Sequence, residues 1–223
     1  MKLLALDTST DACSVALLDD SDVELRHVVE PRAHTRILLP MIRELLNESG
    51  MSVVDLDAIV LGNGPGSFIG MRIGASVAQG LAYGADLPLV PVSSLAIIAA
   101  EVFSTTEVDE VSVSQDARMG ELYVARYRRG DDDLPVAVGE TELAEAPAAG
   151  SLPDDVADPV TRAGAGWYGG LAPESVPENT VLRPNARFLL ACGSRDFAAG
   201  LGIAPDALIP AYVRMTVAAV PSR

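Results

Sequence analysis

Lysine, cysteine and long apolar runs are scarce in this sequence. Lys2 is the one lysine, which excludes a catalytic or phosphate-binding lysine anywhere else. Cys13 and Cys192 are the two cysteines and lie far apart, so we expect buried free thiols rather than a disulfide. No apolar run approaches the roughly 20 residues that span a bilayer, and no signal-peptide pattern opens the chain. We therefore expect a cytoplasmic protein that has no membrane segment.

Positive charge and histidine are also scarce. The chain carries 31 acidic and 16 basic residues, which gives a net charge of −15. A surface this acidic opposes a polyanion, so nucleic acid should not bind to it directly. His27 and His34 are the two histidines, and neither belongs to an HExxH or Cys/His pattern. We expect no transition-metal site.

What the sequence does contain is an alternation of apolar strands and amphipathic helices. With 223 residues and 49% hydrophobic content, it can bury the core of one large domain or of two small lobes. The pattern indicates an α/β fold in which mixed sheets are flanked by helices. Strands are predicted at 2–7, 13–18, 23–29, 58–61, 87–90, 111–114 and 121–128, and helices at 35–49, 71–83, 93–103 and 185–199. Residues 130–159 are predicted as loop with one strand, and residues 208–214 as an extended tail.

A glycine-rich turn, residues 62–70 (GNGPGSFIG), joins a predicted strand to a predicted helix. Main-chain N–H groups at such a place attract anions. The turn lacks the lysine of a P-loop and the spacing of a dinucleotide fingerprint, and Ser67 lies outside a Gly-x-Ser-x-Gly elbow. Two interpretations stay open: an anion cradle, or a tight turn that lets the following helix pack closely.

The helix after this turn carries a row of small residues. Gly74, Ala78 and Ala82 recur at intervals of four, and Gly70 extends the row backwards. An interior glycine costs about 1 kcal/mol relative to alanine, and close approach by another backbone would compensate. That neighbour is either the chain's own sheet or a helix of a partner.

Four segments in order carry a family resemblance. Residues 4–17, 34–40, 64–74 and 116–123 together resemble the bacterial TsaB family, also called YeaZ. The resemblance covers residues 1–128 well, is weaker at 164–167 and 210–214, and is absent between about 130 and 160. Ile69 stands where the family usually has threonine, which removes one hydroxyl from the glycine turn.

The resemblance implies an actin-like, Hsp70-like ATPase (ASKHA) fold with two ribonuclease-H-like lobes. We place the lobes at 1–103, which would carry the dimer face, and 104–223. It also implies a non-catalytic partner of TsaD, which transfers threonylcarbamoyl from threonylcarbamoyl-adenylate to N6 of adenosine 37 in tRNAs reading codons that begin with A. The ATPase TsaE joins the pair. We expect a homodimer in the absence of TsaD, indirect contact with tRNA, and no cofactor of its own, with ATP or ADP held by the partner subunits.

The resemblance also implies functional residues. TsaD binds its metal through a His-x-x-x-His pair, and here Leu38 stands where the second histidine after His34 would be, so no metal ligand is expected. The partner interface is predicted to comprise Ile37, Leu38, Met41, Leu45, Met71, Gly74, Val77, Ala78, Leu81 and Ala82. A vestigial nucleotide cleft is predicted to comprise Asp7, Thr8, Ser9, Thr10, Gly64, Gly66, Ser67, Asp116, Arg118 and Gly120. No catalytic residue is predicted.

Two other functions remain as alternatives. Asp7, Asp116 and two glycine clusters would suit an ATP-dependent phosphotransferase of the same fold. A glycoprotease-like peptidase rests only on a historical label attached to relatives, with Ser67 as its nominal nucleophile.

Overall fold

A computed structural model describes residues 1–146, 161–169, 176–178 and 180–213 of the chain. Part of the predicted loop, residues 147–159, and residue 214 of the predicted tail lie outside these described residues. Nine strands form two sheets within the described ranges, and four α-helices pack on them.

The first sheet has five strands in the order β3-β2-β1-β4-β5. The strands β1, β2 and β3 form successive antiparallel hairpins, whereas β4 and β5 run parallel to β1. Their bounds are β1 Lys2–Asp7, β2 Ala12–Asp19, β3 Asp22–Val29, β4 Ala58–Gly62 and β5 Leu89–Val92. Because the central strands are covered on both faces, β1 and β4 are apolar almost throughout and nearly wholly buried.

The second sheet has four strands in the order β8-β7-β6-β9. The strands are β6 Glu110–Arg118, β7 Glu121–Arg129, β8 Pro135–Glu145 and β9 Thr161–Ala163. Two hairpins join the first three, and β9 runs parallel to β6.

The helices cover both faces of the first sheet. They are α1 His34–Glu48, α2 Phe68–Ala85, α3 Ser94–Thr105 and α4 Ala186–Ala198. Helices α1 and α2 share one apolar cluster with the sheet, and α3 and α4 share a second cluster on the opposite face. Helix α3 also packs on the second sheet, so it lies between the two sheets. No helix within the described ranges is long and apolar enough to cross a bilayer.

The architecture confirms the predicted α/β class with two mixed sheets and flanking helices. Helix α2 begins at Phe68, before the predicted residue 71, because the Ser67 side chain caps it by accepting a hydrogen bond from the Gly70 N–H. The region predicted mainly as loop contains the 11-residue strand β8. Residues 208–213, predicted as an extended tail, lie beside the glycine turn and the start of α2. Ala211 N–H donates to Asn63 O in the turn, and Arg72 Nε on α2 donates to the Tyr212 hydroxyl at 3.2 Å.

Candidate functional site

The glycine turn packs tightly against the residues that follow β1. Ser67 N–H donates to Ser9 O at 2.6 Å, and Thr8 Oγ1 donates to Gly70 O at 2.7 Å. A Cβ atom on Gly66 would lie 2.3 Å from Ser9 O, and one on Gly70 would lie 2.0 Å from Thr8 O. The glycines therefore allow backbone to meet backbone, which supports the tight-turn interpretation.

Asp7 lies beneath this turn and is 1% exposed. Its Oδ1 accepts from Ser9 N–H at 2.9 Å and from Ser9 Oγ at 2.8 Å, and its Oδ2 accepts from Ser94 Oγ at 2.7 Å. Burial raises the pKa of Asp7, and these hydrogen bonds oppose that rise. Gly62 closes over the carboxylate, because a Cβ atom there would lie 1.9 Å from Oδ2. The carboxylate holds the turn together and does not reach the surface.

A large cleft of about 1240 Å³ lies in front of the turn, between the two sheets. Of the residues predicted for a vestigial nucleotide cleft, Ser9, Thr10, Gly66, Ser67, Asp116 and Arg118 line it. The other four do not. Asp7, Thr8 and Gly64 are buried, and Gly120 lies outside the lining. The apolar end of β1 draws Asp7 and Thr8 beneath the turn, so the predicted set is divided between cleft and core, and nucleotide binding by its six cleft members stays a prediction.

Two ion pairs line the cleft. Arg118 lies 2.9 Å from Asp116. Arg183 donates to Asp11 from Nε at 2.6 Å and from Nη2 at 2.9 Å. This guanidinium holds the pKa of Asp11 below its usual range. Neither Asp11 nor Arg183 was predicted as a site residue, because residues 172 positions apart give no local signal of their contact.

His34 and Leu38 take structural places at the start of α1. His34 is buried, and its Nε2 lies 3.2 Å from Ala12 O. Leu38 is 1% exposed and belongs to the core cluster beneath α1. Among the described residues, His, Cys, Asp and Glu form no group of three or more that could hold a metal ion.

Most of the residues predicted for a partner interface face inward, which corrects that assignment. The buried members, in contact with their own core, are Leu38, Met41, Leu45, Met71, Gly74, Ala78 and Ala82. A Cβ atom on Gly74 would lie 2.5 Å from Thr8 Oγ1, so the row of small residues fits the chain's own first sheet. Ile37, Val77 and Leu81 are half-buried and remain within reach of a partner.

The outer faces of α1 and α2 form a shallow apolar groove of about 390 Å³. Leu39 and Ile69 contribute exposed apolar side chains, with exposed fractions of 48% and 69%. Its other lining residues are His34, Thr35, Leu38, Arg72, Ile73, Ser76 and Val77. In a chain with a net charge of −15, none of the described residues that line this groove is acidic. The groove is an exposed apolar surface of these helices that another protein could reach.

Comparisons with known proteins agree with the resemblance seen in the sequence. A family model described as "TsaD: tRNA N6-adenosine threonylcarbamoyltransferase" matches residues 28–151, just over half of the chain. The chain is 36% identical to the tRNA threonylcarbamoyladenosine biosynthesis protein TsaB of Escherichia coli, covering 98% of this chain and 96% of that protein. It is likewise 36% identical to the protein of the same name from Haemophilus influenzae, covering 97% and 95%.

Solved structures give the same result. The YeaZ structure from Pseudomonas aeruginosa is similar with a TM-score of 0.82 and 37% identity, covering 95% of this chain and 99% of that one. A second structure, described as an uncharacterized protein from Pseudomonas aeruginosa with similarity to peptidase YeaZ, has a TM-score of 0.83 and 36% identity. The two mixed sheets with their flanking helices are thus an ASKHA-like fold. Full-length identity and matching structure together show that the chain belongs to the TsaB (YeaZ) family.

Proposed function

We propose that this chain is the accessory subunit of a complex that makes threonylcarbamoyladenosine in tRNA, and that TsaD is its partner. The observation that carries the proposal is the 36% identity to Escherichia coli TsaB across 98% of the chain. The match of residues 28–151 to the TsaD family model adds that the chain and its partner would share one architecture over that range, which includes most of the first lobe and part of the second. In a twofold-symmetric homodimer both copies use the same surface patch, and we propose that TsaD uses the equivalent face of its related lobe.

The outer groove of α1 and α2 is the surface we propose for TsaD. It presents exposed apolar side chains on two rigid helices, which suits a protein partner. Arg72 at its edge offers a cation beside those apolar groups. When TsaD is absent, a second copy of the chain would cover the same groove and give a homodimer. TsaE would join the assembled pair.

The geometry of the cleft supports the proposal that this chain is not the catalytic subunit. Asp7, the carboxylate best placed by sequence to act near a phosphate, is buried and already accepts three hydrogen bonds. Ser67 Oγ accepts from Gly70 N–H as a helix cap. These groups hold the fold, so we propose that catalysis, nucleotide and tRNA contacts belong to the partner subunits. The complex would then act in the cytoplasm, where tRNA is modified.

The decisive experiment measures both assembly and modification. Mixed with TsaD from the same cell, the chain should form a complex by size-exclusion chromatography. Cells depleted of the chain should lose threonylcarbamoyladenosine, measured by mass spectrometry of digested tRNA, and a plasmid copy should restore it. Normal modified tRNA in depleted cells would contradict the proposed function.

A matched pair of variants tests the surface. Leu39→Asp places a charge in the groove, and we expect about 30-fold weaker binding to TsaD, which corresponds to the roughly 2 kcal/mol of a central interface residue. The control is Val54→Asp, because Val54 is 71% exposed and lies outside the groove lining. Equal affinities for the two variants would assign the partner to another face. Gly74→Leu is unsuitable for this purpose, since it would disrupt the core.

The two alternatives gain nothing specific from the geometry. A phosphotransferase needs a carboxylate that faces the cleft from the end of β1, and Asp7 does not reach it. A peptidase needs a base beside Ser67, whereas His34 contacts a backbone carbonyl. Calorimetry with ATP and magnesium, and digestion assays with Ser67→Ala, would revive either one if heat or Ser67-dependent cleavage were observed.

A further inference from the structure

In the part of the chain that the structure describes, the backbone passes between the two sheets at two places, and an arginine is hydrogen-bonded at each. The first passage, residues 105–110, leads from α3 to β6. There the Arg129 guanidinium donates to the backbone oxygens of Phe103 at 2.8 Å, Thr106 at 2.6 Å and Val108 at 3.0 Å. Helix α3 packs on both sheets beside this passage, so an apolar joint and backbone hydrogen bonds fix it.

The second passage, residues 181–186, leads back to α4 on the first sheet. Its first two residues are bonded to the second sheet and the turn after it. Val181 O accepts from Gly164 N–H at 2.7 Å. Leu182 O accepts from Ala165 N–H at 3.0 Å and from Gln115 Nε2 at 2.9 Å.

The very next residue is bonded to the first sheet. Arg183 reaches Asp11 in the turn between β1 and β2, and its two nitrogens bind the two carboxylate oxygens at 2.6 and 2.9 Å. Ala186 N–H then donates to Ser14 Oγ on β2 at 2.8 Å. The bonding changes from one sheet to the other at the peptide between Leu182 and Arg183, which places a pivot there.

Arg183 and Asp11 also line the cleft that separates the sheets. We propose that the Arg183–Asp11 pair is a lock that fixes the width of this cleft. A bidentate guanidinium–carboxylate pair sets an angle as well as a distance, so it resists rotation about the pivot. Without the lock, the hydrogen bond that still ties the described part of the second passage to the first sheet is Ala186–Ser14, at the passage's buried end. The cleft can then widen about the α3 joint.

The two passages differ in how easily they can open. Arg129 is 18% exposed and bonds to backbone carbonyls that the fold holds in place. The side chains of Arg183 and Asp11 are 30% and 37% exposed, so water and ions reach their ion pair. The cleft-side passage is therefore the one that can be unlocked while the molecule stays folded.

The test measures the cleft directly in the full chain. Spin labels are placed at Thr35→Cys on α1 and Met119→Cys between β6 and β7, on opposite walls of the cleft. The native cysteines, Cys13 and Cys192, are buried, and burial raises the pKa of each thiol to about 12, so they should not take up label. Double electron–electron resonance spectroscopy should give one narrow distribution of the distance between the two labels when the rest of the chain is unchanged.

Asp11→Asn should broaden this distribution and shift it to longer distances. Arg183→Lys keeps the charge but loses the bidentate geometry, and should broaden it less. The control is Glu30→Gln, which also removes one negative charge but breaks only the exposed pair with Arg36. Narrow distributions in both lock variants would overturn the proposal, as would equal broadening in the control. Because Arg183→Lys perturbs the fold least, it decides the question if Asp11→Asn does not fold.

Discussion

Helix α2 has two faces that differ in almost every respect. The inner face consists of Gly70, Gly74, Ala78 and Ala82, all of them buried against the first sheet. The outer face includes Ile69, Arg72, Ser76, Gly80 and Tyr83, all of them exposed. The small residues serve the fold, and the large exposed ones are available to a partner. A row of small residues along a helix therefore does not identify a docking surface until its neighbour is known.

The largest loss of stability should follow from adding one carbon atom to the inner face of α2. Gly70→Ala places a Cβ atom 2.0 Å from Thr8 O, a backbone atom that cannot rotate away. We expect the free energy of unfolding to fall by about 3 kcal/mol, as in severe overpacking. Urea denaturation followed by circular dichroism measures it. A loss below the error of the method would mean that the inner face is looser than described.

A smaller loss should follow from removing one hydrogen bond at the same contact. Thr8→Val keeps the shape of the side chain but deletes the hydroxyl that donates to Gly70 O at 2.7 Å. We expect about 1 kcal/mol of lost unfolding free energy, the usual net value of such a bond. Thr35→Val on the exposed start of α1 is the control and should change little. Equal values for the two would show that the buried hydroxyl contributes nothing.

On the outer face of α2, the change in unfolding free energy on replacing glycine by alanine should have the opposite sign. Apart from its chain neighbours and the surrounding helix backbone, no atom of the described residues lies within 4 Å of the position a Cβ would take at Gly80. Gly80→Ala should therefore stabilise the protein by about 0.5–1 kcal/mol, because alanine is the better helix former. The same denaturation experiment measures it beside Gly70→Ala. If both substitutions destabilise, the contrast between the faces fails.

The smallest effect on stability should come with a large effect on binding. Ile69→Asp replaces a side chain that is 69% exposed, and an acidic residue suits the first turn of a helix. We expect unfolding free energy to change by less than about 0.5 kcal/mol, while affinity for TsaD falls. Thermal melting and titration calorimetry on the same preparation separate the two quantities. A destabilised Ile69→Asp chain would show that the outer face also supports the fold.

Much of the fold was predictable from local patterns. The apolar run at 58–61 and the paired apolar residues of 35–49 correspond to β4 and α1 within a residue or two. Such segments carry a periodicity that one window of sequence reveals. Strand β8 is the one strand predicted within the loop region, but its bounds could not be predicted, because three glutamates and two alanines are among its 11 residues, most of its side chains are exposed, and Gly139 interrupts it with a φ of +81°. A strand with one exposed face and few β-branched residues leaves little signal.

The candidate site was harder to predict than the fold. The sequence placed Asp7 and Ser67 near one turn, and both are there. It could not show that Asp7 is a buried hydrogen-bond acceptor and Ser67 a helix cap. The pairing of Asp11 with Arg183 depends on how the chain returns to the first sheet after the second is complete. That return is a property of topology, and no window of sequence contains it.

The late return of α4 also has a consequence for synthesis on the ribosome. The last strand of the first sheet ends at Val92, but Ala186, Leu189, Leu190 and Cys192 of α4 complete the apolar cluster on one of its faces. At the usual 5–20 residues per second, roughly 5–20 seconds separate the two segments. During that interval the nascent chain presents an apolar sheet face to its surroundings. Helix α3 covers part of this face with Ile97 and Ala100, and we expect chaperones to bind the rest in ribosome-bound chains that end before α4.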